Sequence, residues 1–481
     1  MSELNQPVRK FHKLIGLLLM LNLLFIVLYC ETKHGRGEEL ADFSSKALLP
    51  PPEWARQGVL YQVFPRAFSP EGNFRGIIER LDHIQKLGVN IVWLMPIFPI
   101  GEKGRKGTLG SPYSVRDFQA INPEYGTKDD FRRLVQEIHR RGLKVIVGMV
   151  PNHSSNDNIL MEEHPDWFSQ DQEGQFTREV ADCSDVTDFN YSHPDMRAYM
   201  LETLLYWVRE FDIDGYRCDV AGMVPYDFWR EALQKLRQLK PDIFLLAEWE
   251  DPEIMLSGFT SDYDWTLYRL LLDIRKKKNR SAEAVVFIQE RDKLYPRNSL
   301  PMRFLENHDE PRSLDQFGPA AIESYATLLF TLPGIPLIYA GQEIGETERP
   351  SLFEKSSLNW KDADSSLNSL YQSLIRLRQE YPCFTSGDFI QLPAANISGS
   401  VGAFLRYEAG SAAMVIANLK NSSARQILLH IPPEVKGEIS KYQWQGYKTD
   451  APTFKDELLY VHELEPFTTI IYLGKNHNSG K

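Results

Sequence analysis

The sequence predicts an α/β protein: a closed barrel of eight parallel strands followed by a separate antiparallel β domain. Strand-like apolar runs alternate with amphipathic helices over most of the chain, and the runs are apolar almost throughout, as in parallel strands covered on both faces. From about residue 390 the pattern changes to short strands separated by turn residues, without helical spacing, which predicts the second domain.

Seven of the eight barrel strands can be placed directly as apolar runs. They lie at 59–64, 90–95, 144–150, 215–220, 243–248, 302–307 and 335–340. The remaining strand, the sixth, is expected near residues 262–268, DYDWTLY. Apolar residues at helical spacing predict a helix over 74–87, and Thr127 with Asp130 forms a capping box that predicts the start of another.

The chain is predicted to contain an export segment, a linker, a barrel with an inserted loop domain, and a C-terminal β domain. These parts span 1–30, 31–52, 53–389 with the loop domain at 151–192, and 390–475. The long loops after strands matter because a barrel builds its functional site at that end.

The first 30 residues have the pattern of an export signal. Three basic residues precede an uncharged run from Leu14 to Tyr29, which is shorter than the roughly 20 residues of a membrane-spanning helix. Cys30 follows at once, in an arrangement that resembles a bacterial lipoprotein signal in which the cysteine is acylated. We therefore expect an exported protein, which is held at a membrane through lipid on Cys30 or through the segment itself, or is cleaved and released to the periplasm or cell surface.

Charge and cysteine content narrow the range of partners. The net charge of -11, with no basic stripe, excludes nucleic acid as an expected partner. The other cysteines, Cys183, Cys218 and Cys383, are odd in number and widely spaced, so they predict no disulfide framework. Cys218 is expected to be a small buried side chain.

Two opposite charges stand inside one apolar run, GYRCDVAG at 215–222. Arg217 and Asp219 are two residues apart and so share one face of the strand, where an unpaired charge would be costly. Other charged side chains also stand at the carboxyl ends of predicted strands, and in a barrel all these ends face one mouth. They are His153, Glu248, His308 and Asp309.

Three acids and an arginine in one pocket are groups that glycoside cleavage needs. One carboxylate must be ionised to attack or stabilise the anomeric carbon, while another stays protonated to donate to the leaving oxygen. Arg217 is expected to hold Asp219 ionised, which would explain why the chain buries this pair.

Five motifs follow one another in an order, and at separations, that resemble the alpha-amylase family, glycoside hydrolase family 13. They are VPNHSS (150–155), GYRCD (215–219), LAEWE (246–250), ENHDE (306–310) and GIPLIYAGQE (334–343). The likeness runs through nearly all of residues 55–475. It implies a (β/α)8 TIM barrel with a short loop domain after strand 3 and a C-terminal antiparallel β-sandwich.

The resemblance also implies a role for each acid. Asp219 matches the nucleophile, Glu248 the general acid/base, and Asp309 the third carboxylate, which binds substrate hydroxyls. Four further residues match groups that bind the sugar beside the cleaved bond. They are Tyr113, in GSPYSVRDF, which would stack beneath the sugar, and Arg217, His153 and His308, which would hydrogen-bond it.

The activity that this resemblance implies is retaining hydrolysis of α-1,4-glucosidic bonds in starch-derived maltooligosaccharides, with an α-glucan as the partner and no required cofactor. A transglycosylase, or an enzyme for α-1,6 or trehalose-type linkages, would use the same three acids. A third hypothesis is a non-catalytic membrane protein that resembles the amylase-like heavy chains of amino-acid transporters. The complete set of acids argues against it.

The sequence departs from the family pattern beside the predicted site. Gly148 stands where an aspartate is usual on the third strand, which puts the orientation of Arg217 in question. Gly222 and Met223 stand where many members carry a lysine and a histidine on the leaving-group side, so binding of the acceptor is expected to differ.

The same departure bears on calcium. In many amylases that histidine helps to hold a calcium ion, together with the asparagine matched by Asn152, so Met223 argues against such a site. The loop after the third strand still offers oxygens from Asp182, Asp185 and Asp188. Calcium is therefore an optional ligand in this prediction, and no other metal is expected.

Overall fold

The computed structural model describes residues 42–278, 280–396, 400–408, 410–455 and 458–476. The predicted export segment, with Cys30, lies outside these residues, as does most of the predicted linker. Among the described residues no helix combines the length and the apolar character that crossing a bilayer demands.

Eight parallel strands form one sheet that closes on itself. The first ten strands of the chain are β1 (Leu60–Val63), β2 (Ile91–Leu94), β3 (Lys144–Met149), β4 (His153–Ser155), β5 (Val186–Asp188), β6 (Gly215–Cys218), β7 (Phe244–Ala247), β8 (Ser261–Asp262), β9 (Met302–Arg303) and β10 (Ile335–Tyr339). All except β4 and β5, which pair with each other in the loop after β3, belong to this sheet, in the order β8-β7-β6-β3-β2-β1-β10-β9. A parallel bridge between Tyr263 and Met302 joins its two outer strands, so the predicted barrel is confirmed.

Helices connect the strands, and most of them pack apolar side chains into one large cluster of buried apolar residues, here called the main core. They span Glu53–Arg56, Pro65–Phe68, Phe74–Ile78, Leu81–Leu87, Lys128–Arg140, Pro194–Phe211, Tyr226–Leu239, Pro252–Met255, Trp265–Arg275, Ser281–Asp292, Ser313–Phe317, Ile322–Thr331 and Ser365–Glu380. The capping box predicted at Thr127 is present: its hydroxyl accepts a hydrogen bond from the Asp130 N–H, and the Asp130 carboxylate accepts one from the Thr127 N–H.

The sixth barrel strand is shorter than predicted. It covers Ser261 and Asp262 alone, and most of the rest of the stretch 262–268 belongs to the next helix, which begins at Trp265. Asp264 starts this helix, because its Oδ1 accepts a hydrogen bond from the Leu267 N–H at 3.2 Å. The cap therefore ends the strand where the apolar pattern alone suggested that it continues.

The helix predicted over 74–87 is divided into two. The first part is capped by Asn73, whose side chain accepts a hydrogen bond from the Gly76 N–H at 3.1 Å. The second part begins at Leu81, after Arg80, and ends at Gly88, which has a φ of 97°. Both parts keep their apolar residues in the main core, so the spacing predicted the buried face correctly but not the break.

Two antiparallel sheets follow the barrel. Their strands are β11 (Asp388–Gln391), β12 (Gly402–Glu408), β13 (Ser411–Asn418), β14 (Ala424–His430), β15 (Tyr442–Tyr447), β16 (Thr453–Lys455), β17 (Leu458–Leu464) and β18 (Thr468–Asn476). One sheet has the order β11-β12-β13-β18-β15 and the other β14-β17-β16, and their apolar side chains share a core of their own. One helix, Pro433–Ile439, lies between β14 and β15 although the sequence showed no helical spacing there.

Arg406 joins these sheets to the barrel. It lies on β12, is 1% exposed, and donates hydrogen bonds to backbone carbonyls on both sides of the junction. The acceptors are the carbonyl oxygens of Thr331, Phe384, Gly387 and Asp388. Because Thr331 ends a barrel helix, this guanidinium is one of the groups that join the two parts of the chain, together with hydrogen bonds such as that from the Tyr325 hydroxyl to the Leu419 carbonyl.

We expect Arg406→Met to destabilise the protein, since the carbonyl groups would remain buried without donors. The free energy of unfolding, measured by urea denaturation with tryptophan fluorescence, should fall by about 3 kcal/mol. Arg425→Met is the matched control, because Arg425 lies on β14 with a side chain 72% exposed and should leave the denaturation midpoint almost unchanged. Equal effects of the two substitutions would contradict the role assigned to Arg406.

Candidate active site

The register of two neighbouring strands brings two of the predicted acids side by side. Cys218 at the end of β6 pairs with Ala247 at the end of β7. The next residues, Asp219 and Glu248, therefore leave adjacent parallel strands at the same level. Cys218 points the other way and is fully buried in the main core, as expected from its position between two charged residues.

Arg217 is the centre of the cluster. One of its terminal nitrogens contacts the Asp219 carboxylate and the other contacts Glu248, while its Nε donates to the Tyr263 hydroxyl at 3.1 Å. The planar guanidinium can hold two acids at once because its donors point in different directions. The pair expected from the spacing of Arg217 and Asp219 is thus present, and Glu248 is a second partner that the sequence did not indicate.

Aromatic rings surround the Arg217 guanidinium. Its central carbon lies 5.5 Å from the centre of the Trp93 ring, 5.6 Å from that of Tyr113 and 5.7 Å from that of Tyr263. These faces attract a cation and exclude water, which strengthens the contacts with the two carboxylates. Burial of the charge is therefore accompanied by two carboxylates, one hydroxyl and three aromatic rings.

Arg217 keeps its orientation although Gly148 replaces the usual aspartate. Gly148 lies opposite Arg217 in the register of β3 and β6. A Cβ atom at this position would come within 3.0 Å of the Pro96 side chain, so the usual aspartate would require Pro96 to move. Arg217 is oriented instead by its two carboxylate partners and the Tyr263 hydroxyl.

His308 connects Tyr113 and Asp309 to the cluster. The Tyr113 ring stacks on the imidazole with centroids 5.5 Å apart, and its hydroxyl lies 2.5 Å from His308 Nε2. Asp309 Oδ2 lies 3.2 Å from the same nitrogen. Gln62 Nε2 donates to the other ring nitrogen at 2.7 Å, which leaves the proton of a neutral imidazole on Nε2, facing Tyr113 and Asp309.

His153 completes the set of seven predicted residues. It begins β4, and its Nε2 lies 3.9 Å from Asp219 Oδ2. The seven predicted side chains thus meet in two groups, and the Tyr113 ring beside the Arg217 guanidinium joins them. One group is Arg217 with Asp219, Glu248 and His153, and the other is His308 with Tyr113 and Asp309.

Burial shifts the pKa values of the two acids and of the histidine in opposite directions. It raises the pKa of Glu248 well above its usual value; the charges of Asp219 and Asp309 add to this effect, while Arg217 and the Val220 N–H oppose it. Burial also raises the pKa of Asp309, against the opposing charges of Arg217 and Arg349. Burial, with Arg217 nearby, lowers the pKa of His308 well below its usual value, so its ring is neutral near pH 7. Glu248 is thus suited to hold a transferable proton.

Several residues of the site were not found from the sequence. Gln62 left a signal, since it is a polar side chain within the apolar run of β1 and is completely buried. Arg349, which donates to the Asp309 carbonyl at 2.5 Å, and Tyr263 come from loops and strand ends with no distinctive pattern. Their roles depend on contacts between distant parts of the chain.

The loop acids that could have bound calcium have partners within the protein. Asp185 pairs with the Lys106 ammonium at 3.1 Å, and the same ammonium donates to the Asp182 carbonyl at 2.8 Å. Asp188 accepts a hydrogen bond from the Glu179 N–H at 2.7 Å. The side chain of Asn152 faces Asp188 with its amide nitrogen, at 3.5 Å from Oδ1. In the described part of the chain no three His, Cys, Asp or Glu side chains converge as metal ligands.

Comparisons with known proteins extend this picture. A model of the alpha-amylase catalytic domain matches residues 62–175 and 161–369. A cyclomaltodextrinase from a Bacillus species is 31% identical over 421 residues, covering 76% of this chain and 74% of that protein. The crystal structure of an alpha-amylase from Lactobacillus plantarum has 34% identity and a TM-score of 0.77, and covers 87% of this chain and 99% of its own.

A noncanonic maltogenic alpha-amylase from Thermotoga neapolitana is similar to the same extent. It has 32% identity and a TM-score of 0.80, and covers 88% of this chain and 99% of its own. These solved structures agree with the barrel and its C-terminal sheets. The chain therefore belongs to the alpha-amylase family of glycoside hydrolases and is an enzyme of that family.

Proposed function

We propose that the enzyme hydrolyses α-1,4-glucosidic bonds of starch-derived maltooligosaccharides with retention of the anomeric configuration. The observation that carries this proposal is the buried contact of one guanidinium, that of Arg217, with two acids on adjacent strands, Asp219 and Glu248. The names of the relatives, cyclomaltodextrinase and maltogenic alpha-amylase, support an α-glucan as the substrate.

In the first step, Asp219 attacks the anomeric carbon while Glu248 gives its proton to the leaving oxygen. The glycosidic bond breaks, and a covalent glycosyl-enzyme forms on Asp219. In the second step, Glu248 takes a proton from water, whose oxygen displaces the Asp219 carboxylate from the sugar. Two displacements restore the original configuration, and Glu248 ends each cycle protonated.

The remaining predicted residues would bind the sugar beside the cleaved bond. The Tyr113 ring, which stacks on His308 on one side, would stack beneath the sugar, and the neutral His308 with Asp309 would supply a donor and acceptors for sugar hydroxyls. An uncharged glucan needs such hydrogen bonds rather than a charged partner. Arg217 would balance the negative charge on Asp219 whenever the covalent bond is absent.

Hydrolysis is favoured over transfer by the residues on the leaving-group side. Gly222 has no side chain, and Met223 offers only a thioether as a weak hydrogen-bond acceptor, at positions where the family often places a lysine and a histidine. A sugar acceptor would thus lose two hydrogen-bonding partners, whereas water needs neither of them. The same three acids would also serve α-1,6 or trehalose-type linkages, which the substrates below distinguish.

We also propose that the enzyme acts outside the cytoplasm, exported by its N-terminal segment and held by lipid on Cys30. The basic residues, the apolar run and the position of Cys30 in the sequence support this location. Such a location suits an enzyme for polymeric or oligomeric glucans.

Products and variants test the reaction together. We expect the purified enzyme to release glucose or short maltodextrins from maltoheptaose, but not to act on trehalose, with pullulan as the test for α-1,6 bonds. Glu248→Gln should reduce kcat on maltoheptaose at least about 1,000-fold, yet keep the first step on an α-maltosyl fluoride, whose leaving group needs no proton. Asp219→Asn should abolish both reactions.

Glu253→Gln is the matched control, since it removes an exposed acid from the same segment. It should keep full activity. Products longer than maltoheptaose would indicate a transglycosylase, and no turnover of any substrate would favour the non-catalytic hypothesis.

The pH dependence of kcat/KM should show the influence of Asp309 on Glu248. The first step requires protonated Glu248, so activity is present below the pKa of this group and lost as the pH rises through it. Because the charge of Asp309 helps to raise that pKa, Asp309→Asn should move the alkaline limb of the residual activity to lower pH. A limb that stays in place, or moves to higher pH, would show that another group is the proton donor.

We further propose that the loop domain is stable without calcium, because the Lys106 ammonium neutralises Asp185. Dialysis against EDTA should leave Tm unchanged, and added calcium should not raise it. Lys106→Met should lower Tm by a few degrees, whereas Lys103→Met, a change at an exposed neighbour, should not. A fall in Tm on chelation that calcium reverses would refute this proposal without affecting the proposed reaction.

A further inference from the structure

Val220, the residue after Asp219, has a backbone conformation that valine rarely adopts. Its φ is 36° and its ψ is 47°, in the left-handed region, where a β-branched side chain crowds the neighbouring backbone. Such a conformation persists where surrounding contacts impose it, and it is often found at functional sites. The contacts made by this turn therefore show what the conformation achieves.

The left-handed turn directs a backbone donor at Glu248. The Val220 N–H donates to Glu248 Oε2 at 2.7 Å, while Arg217 contacts Oε1. The Ala221 N–H also donates to the Glu248 backbone carbonyl, at 3.3 Å. Both carboxylate oxygens of Glu248 are thus held, one by a cation and one by the main chain.

A close packing contact holds the turn in place. A Cβ atom on Gly222 would lie 2.0 Å from Cε2 of Trp249, so the Trp249 indole occupies the space above this glycine. Trp249 directly follows Glu248 and is 5% exposed. A lysine at position 222 would need the space that the Trp249 indole fills. The glycine at this position and the placement of the indole therefore depend on each other.

We propose that Val220 is a positioning residue for Glu248: its main-chain N–H, held in place by the packing of Trp249 on Gly222, orients the carboxyl group and determines how readily it gives up its proton. This inference rests on the proposed role of Glu248 as the acid/base. The N–H acts through Glu248 and touches no substrate itself.

Several charged groups act on Glu248 together with the Val220 N–H. Arg217 and the N–H stabilise ionised Glu248, whereas burial and the negative charges of Asp219 and Asp309 stabilise the protonated form. The Tyr113 and Tyr263 hydroxyls also interact electrostatically with this group, since the Glu248 charge helps to raise the pKa of each. Removing the N–H should therefore shift the balance towards the protonated acid.

An ester at this position tests the proposal directly. Incorporating α-hydroxyisovaleric acid at position 220 keeps the side chain and removes the N–H. The alkaline limb of kcat/KM on maltoheptaose should move to higher pH by about one unit, and kcat should fall about tenfold, with KM changed less than about twofold. An ester at Met223, whose N–H donates to the Val220 carbonyl at 2.9 Å, weakens the same turn and should leave the limb in place.

Two outcomes would overturn the proposal: an unmoved limb in the ester at 220, or equal shifts in the two esters. If the limb is unmoved while Glu248→Gln still abolishes activity on maltoheptaose, the positioning role fails and the proposed reaction stands. If Glu248→Gln keeps full activity, the proposed reaction itself fails.

The packing contact can be tested by a clash and its relief. Gly222→Ala should lower kcat on maltoheptaose at least about tenfold, because the added methyl group must displace the indole and with it the turn. Gly222→Ala combined with Trp249→Leu should recover part of the lost activity and of any lost stability. An alanine variant with normal kcat and normal pH dependence would show that the contact does not position Glu248.

Discussion

The arrangement of this site depends on one buried positive charge shared by two acids. Arg217 is almost completely withdrawn from water, and isolating such a charge would cost several kcal/mol or more without partners. Asp219 and Glu248 together supply more negative charge than one guanidinium can neutralise. The surplus is relieved when one of them stays protonated, which agrees with the raised pKa of Glu248. A charge imbalance of this kind is what a reaction with one ionised and one protonated acid requires.

The barrel makes this sharing possible through register. Parallel strands in register bring their ends to the same level, so Asp219 and Glu248 become neighbours although they are far apart in sequence. The aromatic rings of Trp93, on β2, and of Tyr263, directly after β8, then enclose the cluster. The loop that begins at β4 adds His153 from outside the barrel. Strand register therefore sets the position of the acids, and loops set their surroundings.

Sequence patterns predicted the features that depend on local spacing. The barrel, the capping box at Thr127 and the Arg217–Asp219 pair all follow from residues close together in the chain. The sixth strand is shorter than the apolar pattern suggested, because one side chain, that of Asp264, caps a helix that begins directly after it. The conformation of Val220 leaves no sequence signal, since the contacts of its turn with Glu248 and Trp249 join two separate strand ends.

The two glycines that depart from the family pattern have a common explanation. Each stands where a larger side chain would collide with a neighbour: Gly148 with Pro96, and Gly222 with Trp249. At both positions a ring, that of Pro96 or of Trp249, fills the space that the usual polar side chain would take. Arg217 and the Val220 N–H hold Asp219 and Glu248 instead. The left-handed conformation of Val220 lies beside one of these close contacts, that of Trp249 with Gly222, which keeps the turn from relaxing. Each glycine is thus matched by a ring from another part of the chain, so a larger residue at position 148 or 222 would require a change at Pro96 or Trp249 as well.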